Sequence, residues 1–140
     1  MILDTNVISE FVAVNPSRTV VDWFSTVPED GLYVPAIVKA EILLGIELLP
    51  DGRKKSILEA FLKNFLVPYE QGRILPFETG DAAFYAEIVS RRKRMGRRIV
   101  GVDAQIAAIA LRRGLPIATR NVRDFEGCGV TLINPWDPAP

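Results

Sequence analysis

Five short apolar runs alternate with longer amphipathic stretches, and this alternation constrains the fold more than any other feature of the chain. The runs are Met1-Ile2-Leu3, 32–34, 74–77, 115–118 and 130–133; all but 74–77, which has Pro76 within it, adjoin an Asp, Pro, Gly or Asn. Runs of this length suit buried strands, although their pattern alone does not separate strand from helix. Helical patterns cover 7–14, 18–27, 36–49, 54–67, 79–94, 104–113 and 122–126, with Ser17 placed to cap the second. The alternation predicts an α/β protein, a three-layer sandwich with a mainly parallel central sheet flanked by helices. At 140 residues the chain suits one domain, 1–140, with 138–140 as a loose tail. A chain of this size buries roughly 68–70% of its unfolded surface, so neither a disulfide nor a metal is needed for folding.

Composition removes several kinds of chemistry. There is no histidine, and Cys128 is the only cysteine. Ser-His and Cys-His catalysis and imidazole metal sites are therefore excluded. So is an intramolecular disulfide, which fits a reducing cytoplasm. Neither a secretory leader nor a membrane span is expected. Hydrolytic chemistry would have to rest on carboxylates, whose hard oxygens suit Mg²⁺ or Mn²⁺.

The acids worth attention are far apart in sequence. Asp4 follows the first apolar run directly, with Thr5 and Asn6 behind it. Glu41 lies one turn into the apolar stretch 36–49, where Ile37, Val38, Leu44 and Gly45 are its helical neighbours. A carboxylate inside such a stripe must be paired, protonated or bound to a cation, unless it lies at the edge of a partner surface. Asp103 opens the Ala-rich helix 104–113. Thr119, Arg120 and Asn121 follow the fourth run, and Asp124 lies three residues further on. Each has an ordinary role as helix cap or dipole partner. In an open α/β sheet, however, strand carboxyl ends and the starts of the following helices lie on one side. Four separated segments could thus deliver Asp4, Glu41, Asp103 and Asp124 to one cleft.

The overall net charge is zero, but its distribution is uneven. Residues 1–50 hold seven acids and two bases, whereas 91–123 hold ten bases and one acid. Arg91, Arg92, Lys93, Arg94, Arg97 and Arg98 crowd one helix end. A solvated, dipole-stabilising terminus and a phosphate-binding patch are equally good accounts of them. The helical pair within 36–67 carries more apolar surface than one small domain needs, which points to a homodimer.

Asp4-Thr5-Asn6, Glu41 in an apolar helix, Asp103 opening an Ala-rich helix, and Thr119-Arg120-Asn121 with Asp124-Phe125 together resemble the PIN domain. The order and spacing match along essentially the whole chain. The resemblance is greatest to the VapC-type toxins of bacterial toxin–antitoxin modules, particularly those ending in Asn-Pro-Trp, here Asn134-Pro135-Trp136. It implies an endoribonuclease dependent on Mg²⁺ or Mn²⁺, held inactive by a cognate antitoxin that can join it on operator DNA. It also implies that Asp4 and Asp103 hold metal and that Glu41 is the helix acid, binding metal or orienting water. Asp124 or Asn121 fills the fourth position. Relatives often place an Asp directly after Thr-Arg, where Asn121 stands here. Thr5, Asn6 and Thr119 would support the site by hydrogen bonds. Two other readings are weighed against this one. A non-catalytic RNA- or protein-binding module is favoured by the neutral Asn121. A phosphatase or receiver domain built on Asp4 lacks the neighbouring acid that either would use.

Overall fold

The structure, a computed structural model, describes residues 1–138. Of the tail expected over 138–140, residues 139 and 140 lie outside the described residues. Five strands and seven α-helices alternate along the chain: β1 (Ile2–Leu3), α1 (Thr5–Glu10), α2 (Arg18–Thr26), β2 (Val34–Pro35), α3 (Ala36–Glu47), α4 (Arg53–Leu66), β3 (Ile74–Leu75), α5 (Ala82–Arg94), α6 (Gly101–Arg113), β4 (Ile117–Ala118), α7 (Val122–Phe125) and β5 (Leu132–Ile133). β1 pairs with β4, β4 with β5 and β2 with β3, all parallel. A bridge between Ile2 and Tyr33 joins the two halves. The spatial order is therefore β3-β2-β1-β4-β5, with helices packed around it as a three-layer α/β sandwich. The expected "mainly parallel" sheet is wholly parallel.

Each strand is only two residues long, shorter than its apolar run. The runs end on groups that leave the ladder. Asp4 turns into α1, Pro35 turns into α3, and Pro76 follows β3. The ladder's hydrogen bonds reach slightly further, from Ile2 N to Pro116 O at 2.8 Å and from Ile117 N to Thr131 O at 2.9 Å. Ile2, Leu3, Val34, Ile117 and Ala118 are fully buried and form the centre of the core. Against them lies α6, whose residues 106–110 are all buried. Its alanines let the helix approach closely.

Several sequence expectations are corrected. The first helix begins at Thr5 rather than residue 7, because the Asp4 carboxylate accepts the Thr5 N–H at 2.8 Å and starts it early. Ser17 does not cap α2 with its side chain; its N–H donates to Glu10 at 2.7 Å instead. The helical periodicity of 54–67 places Ile57 on the apolar face of α4 with Leu58, Phe61 and Leu62, but Ile57 is exposed. The periodicity of 79–94 turns Ala82, Ala83 and Ala86 inward with Tyr85, Ile88 and Val89, but the three alanines of α5 are exposed. The inward line of that region runs through Asp81, Tyr85, Ile88 and Arg92, spaced by four, three and four residues. It has an acid at one end and a base at the other.

Asp81 is fully buried. It accepts the Glu78 N–H at 2.8 Å, Arg112 Nε at 2.6 Å and Arg113 at 3.0 Å. Glu78 accepts from the same two arginines. These bonds fasten the start of α5 to the end of α6. The Glu78 N–H and the two guanidinium groups hold the Asp81 carboxyl below its ordinary value, against the opposing effect of burial. A depressed folded-state value stabilises the protein above the unfolded value and loses that effect as pH falls through the folded one. Removing one partner of a buried pair strands the others. Asp81→Asn is therefore expected to lower the melting temperature at pH 7 by about 5 °C or more. The difference should shrink in melts recorded at progressively lower pH; an equal loss at pH 2 would mean that charge is not the cause.

Candidate active site

Asp4 leaves the carboxyl end of β1, the central strand. Its side chain is 5% exposed and accepts three hydrogen bonds: Thr5 N at 2.8 Å, Asn6 Nδ2 at 2.9 Å and Thr119 Oγ1 at 2.8 Å. It is thus both the cap of α1 and an oriented carboxylate. Thr119, fully buried at the end of the neighbouring β4, accepts the Asn121 N–H at 3.0 Å while donating to Asp4. Asn6 spans the cleft from the other side, donating to Asp4 and accepting the Arg120 N–H at 3.0 Å. The segments after β1 and β4 are therefore cross-linked by Asn6 and Thr119. Both residues were expected in supporting roles.

Asp103 is the third residue of α6, half-buried, with Val100 rather than Asp103 at the cap position. None of the hydrogen bonds among the described residues uses its side chain. Burial pushes its carboxyl up to about 6, and the negative charges of Asp4, Asp124 and Glu41 push in the same direction, with only Arg92 opposing. Asp4, Glu41 and Asp124, from three separate segments, therefore all act electrostatically on Asp103. Asp124 acts more strongly on Asp103 than Glu41 does. Asn121 stands at the cap position of α7 but makes no side-chain cap bond. The expected Asn121 and Asp124 start signal works through the backbone instead, Asp124 N donating to Asn121 O at 3.0 Å.

Glu41 corrects a premise. It is exposed, as are Leu43 and Leu44 beside it, so it is not enclosed by an apolar stripe. It lies at the rim and accepts a hydrogen bond from Thr5 Oγ1 at 3.2 Å. An apolar groove of about 310 Å³ opens next to Thr5 and Glu41, running between α1, α3 and α4 past Ile42, Gly45 and Phe61.

The basic cluster divides. Arg92 is 4% exposed and is turned inward, donating to the carbonyls of Arg97 at 2.9 Å, Arg98 at 3.2 Å, Arg123 and Glu126. It was placed among the phosphate-binding candidates, and burial removes it from that surface. It instead ties the end of α5 to α7, where Asp124 lies. Arg91 pairs with Glu87 and Arg97 with Glu126. Lys93, Arg94 and Arg98 are exposed and have no carboxylate partner among the described residues. Sequence reading missed the inward roles of Asp81 and Arg92; the spacing 81/85/88/92 was the available signal.

Among the described residues, no three His, Cys, Asp or Glu side chains close around one point as a formed metal-ligand group. The carboxylates make an open cluster; any two unit negative charges brought to about 4 Å would repel by about 4 kcal/mol at an effective dielectric of 20. The donors are all hard oxygens and their mutual repulsion is relieved by a cation, so the set fits a divalent ion such as Mg²⁺ or Mn²⁺.

A wholly parallel α/β sandwich, with acids from four elements gathered at the strand carboxyl ends, defines a class of proteins built around an acidic cleft. The chain belongs to the PIN domain family, which matches residues 1–127. It is 41% identical to toxin FitB of Neisseria gonorrhoeae over 136 residues, covering 97% of this chain and 98% of that one. It is 37% identical to VapC ribonuclease Y4jK of Sinorhizobium fredii over 139 residues, covering 99% of each. Among solved structures, FitAB bound to an IR36 DNA fragment superposes with a TM-score of 0.93 at 39% identity, covering 99% of this chain and 97% of that one.

Proposed function

We propose that this chain is a divalent-metal-dependent endoribonuclease, the toxin of a toxin–antitoxin pair. The observation that carries the reading is the Asp103 carboxyl, lifted to about 6 by burial and by three further acids from separate elements. Such shifts concentrate at functional sites. The names of the two relatives, a ribonuclease and a toxin, supply the reaction class.

Asp4, Asp103 and Asp124 would hold the ion, with Glu41 at the rim. When bound, Mg²⁺ or Mn²⁺ would supply polarisation of a phosphoryl oxygen and a lowered pKa for water. The chain's own groups do the positioning. Thr5, Asn6 and Thr119 fix two carboxylate orientations, Asp4 directly and Glu41 through the Thr5 hydroxyl. Glu41, exposed at the rim, is placed to accept a proton from an attacking water. Lys93, Arg94 and Arg98 offset the acidic cleft by drawing the RNA backbone electrostatically. The groove beside Glu41 would take an apolar segment of the antitoxin. FitAB, a relative's complex, is bound to a DNA fragment, and an assembly of this chain with its antitoxin on operator DNA follows the same pattern. The exposed Leu43, Leu44, Leu48 and Ile57 are the surface for homodimerisation. No helix among the described residues is long and apolar enough to cross a membrane, and the cytoplasm is the proposed location.

The test is cleavage of a mixed RNA pool by antitoxin-free protein, with Mn²⁺ or Mg²⁺, with chelator, and with folded Asp4→Asn and Asp103→Asn variants. Cutting that requires the ion and both carboxylates is the expected result. Absence of cutting by metal-loaded wild type, including on its native target, would favour a non-catalytic binding module, the alternative that the neutral Asn121 leaves open. Cutting that survives chelator and both substitutions would sink the mechanism.

A further inference from the structure

The segment Asn134 to Asp137 takes no part in the carboxylate cluster, yet it is closed into a tight turn. Asn134 Oδ1 accepts the Trp136 N–H at 3.1 Å, Asn134 Nδ2 donates to Asp137 at 3.2 Å, and Asp137 N donates to Asn134 O at 3.1 Å. Pro135 is buried beneath it. The turn holds Trp136 so that the Arg120 guanidinium carbon lies 5.3 Å from its ring centroid. Arg120 is exposed, and its guanidinium makes no hydrogen bond or ion pair among the described residues. Yet Asp124, Glu126 and Asp137 line the same open cleft of about 570 Å³. Its charge is thus held over an indole and not spent on a carboxylate, which leaves its N–H edge available to an oxyanion. The platform is fixed relative to the acids: one amide, Asn6, donates to Asp4 at 2.9 Å and accepts the Arg120 N–H at 3.0 Å.

We propose that Arg120 and Trp136 form a nucleotide subsite beside the carboxylate cluster. An unpaired base of single-stranded RNA stacks on the guanidinium face turned away from the indole, which holds that plane from behind, and the guanidinium edge takes the flanking phosphate. Arginine planes and aromatic rings are the surfaces on which unpaired bases stack. An acidic peptide would bring a carboxylate at each residue against the three in this cleft, whereas one nucleotide brings a single phosphate, which the Arg120 edge meets. A base is uncharged and carries both donors and acceptors, which Asn121 and Asn134 on the cleft wall can match. The subsite rests on the ribonuclease reading for its substrate class and gives the turn at Asn134-Pro135-Trp136 a task.

The test separates binding from cutting. Trp23→Phe leaves Trp136 as the sole indole, since the chain has two tryptophans. In that chain carrying Asp103→Asn, tryptophan emission is followed during titration with hexauridylate, hexacytidylate and hexaadenylate. Saturable quenching is expected in that chain, and Kd, read for every variant from the anisotropy of fluorescein-labelled hexamers, should be about tenfold weaker for Trp136→Ala and Arg120→Gln and nearly retained for Trp136→Phe. Absence of hexamer binding, unquenched emission in the complex, or a Kd within about twofold in both truncating variants overturns the subsite. So does unaltered RNA affinity with lost antitoxin binding, which would assign the platform to a protein. Wild-type cleavage is measured separately. Quenching without cleavage would remove the enzyme reading and keep the subsite, while cleavage without quenching would do the reverse.

Discussion

Asp103→Asn is expected to raise the melting temperature of the metal-free protein while reducing RNA cleavage by about a thousandfold or more, about 4 kcal/mol of barrier. The two effects have one cause. A carboxyl whose folded-state value is raised from 3.8 to about 6 binds its proton more tightly in the folded chain. The fold is therefore unpenalised below the unfolded value, loses stability as pH rises between the two, and carries the full penalty above the folded value. Asp103 is half-exposed, so after solvent screening the penalty is on the order of 1 kcal/mol, or about 3 °C in a chain of this size. Asparagine removes it, and no hydrogen bond among the described residues depends on the ionised form. Paired melts at pH 8 and at pH 3.5 measure this, and the variant's advantage should vanish at the lower pH. Stabilisation that persists unchanged at pH 3.5 would show that charge repulsion is not its source. Mn²⁺ should raise the melting temperature of wild type and leave the variant nearly unmoved. Asp4→Asn is the instructive contrast. Asp4 accepts three hydrogen bonds, and an amide cannot accept all of them, so this variant should lose both activity and stability.

The second large effect is at Arg92. Arg92→Gln should lower the melting temperature by about 10 °C, roughly 3 kcal/mol, because four backbone carbonyls lose a buried charged donor. It should also weaken Mn²⁺ binding, read by electron paramagnetic resonance at a temperature where the variant is folded. Arg92 anchors Arg123 and Glu126 on either side of Asp124, and its charge is the one that opposes the repulsion on Asp103. Arg92→Lys keeps the charge but not the fork of donors. It should recover the ion affinity better than the stability. Mn²⁺ affinity equal to wild type in Arg92→Gln would confine Arg92 to a structural role.

How far the sequence leads depends on which physical effect sets each residue. Asp4, Asp103 and Asp124 were legible because their positions follow from topology: a strand end, a helix start and the segment after the next strand. The parallel sheet was legible for the same reason, since short apolar runs separated by helices leave few other arrangements. Glu41 was picked out by a wrong premise. Leu43 and Leu44 look like core from hydropathy, yet α3 leaves them exposed, and an isolated chain does not declare that an apolar face is reserved for another molecule. Arg92 was hidden by its neighbours, because five surrounding bases made it look like one more surface cation. Only its register with Tyr85 and Ile88 distinguishes it. Asp81 shares that register, but its partners Arg112 and Arg113 lie in α6, too far along the chain for local spacing to pair them. Strand lengths were overestimated, since hydrophobicity continues past the point at which proline or a capping carboxylate turns the backbone.

The two outer strands, β3 and β5, are each two residues long, and a proline follows within two residues of each, at Pro76 and Pro135. A sheet edge is a template for other chains only where consecutive backbone groups remain free to pair, and proline offers no N–H. Neither margin of this sheet can be extended by a neighbouring strand. Association that avoids strand pairing can use the exposed apolar helix positions Leu43, Leu44 and Ile57, whose side-chain shapes discriminate between partners. Crowded copies of the chain are thereby protected from edge-to-edge polymerisation.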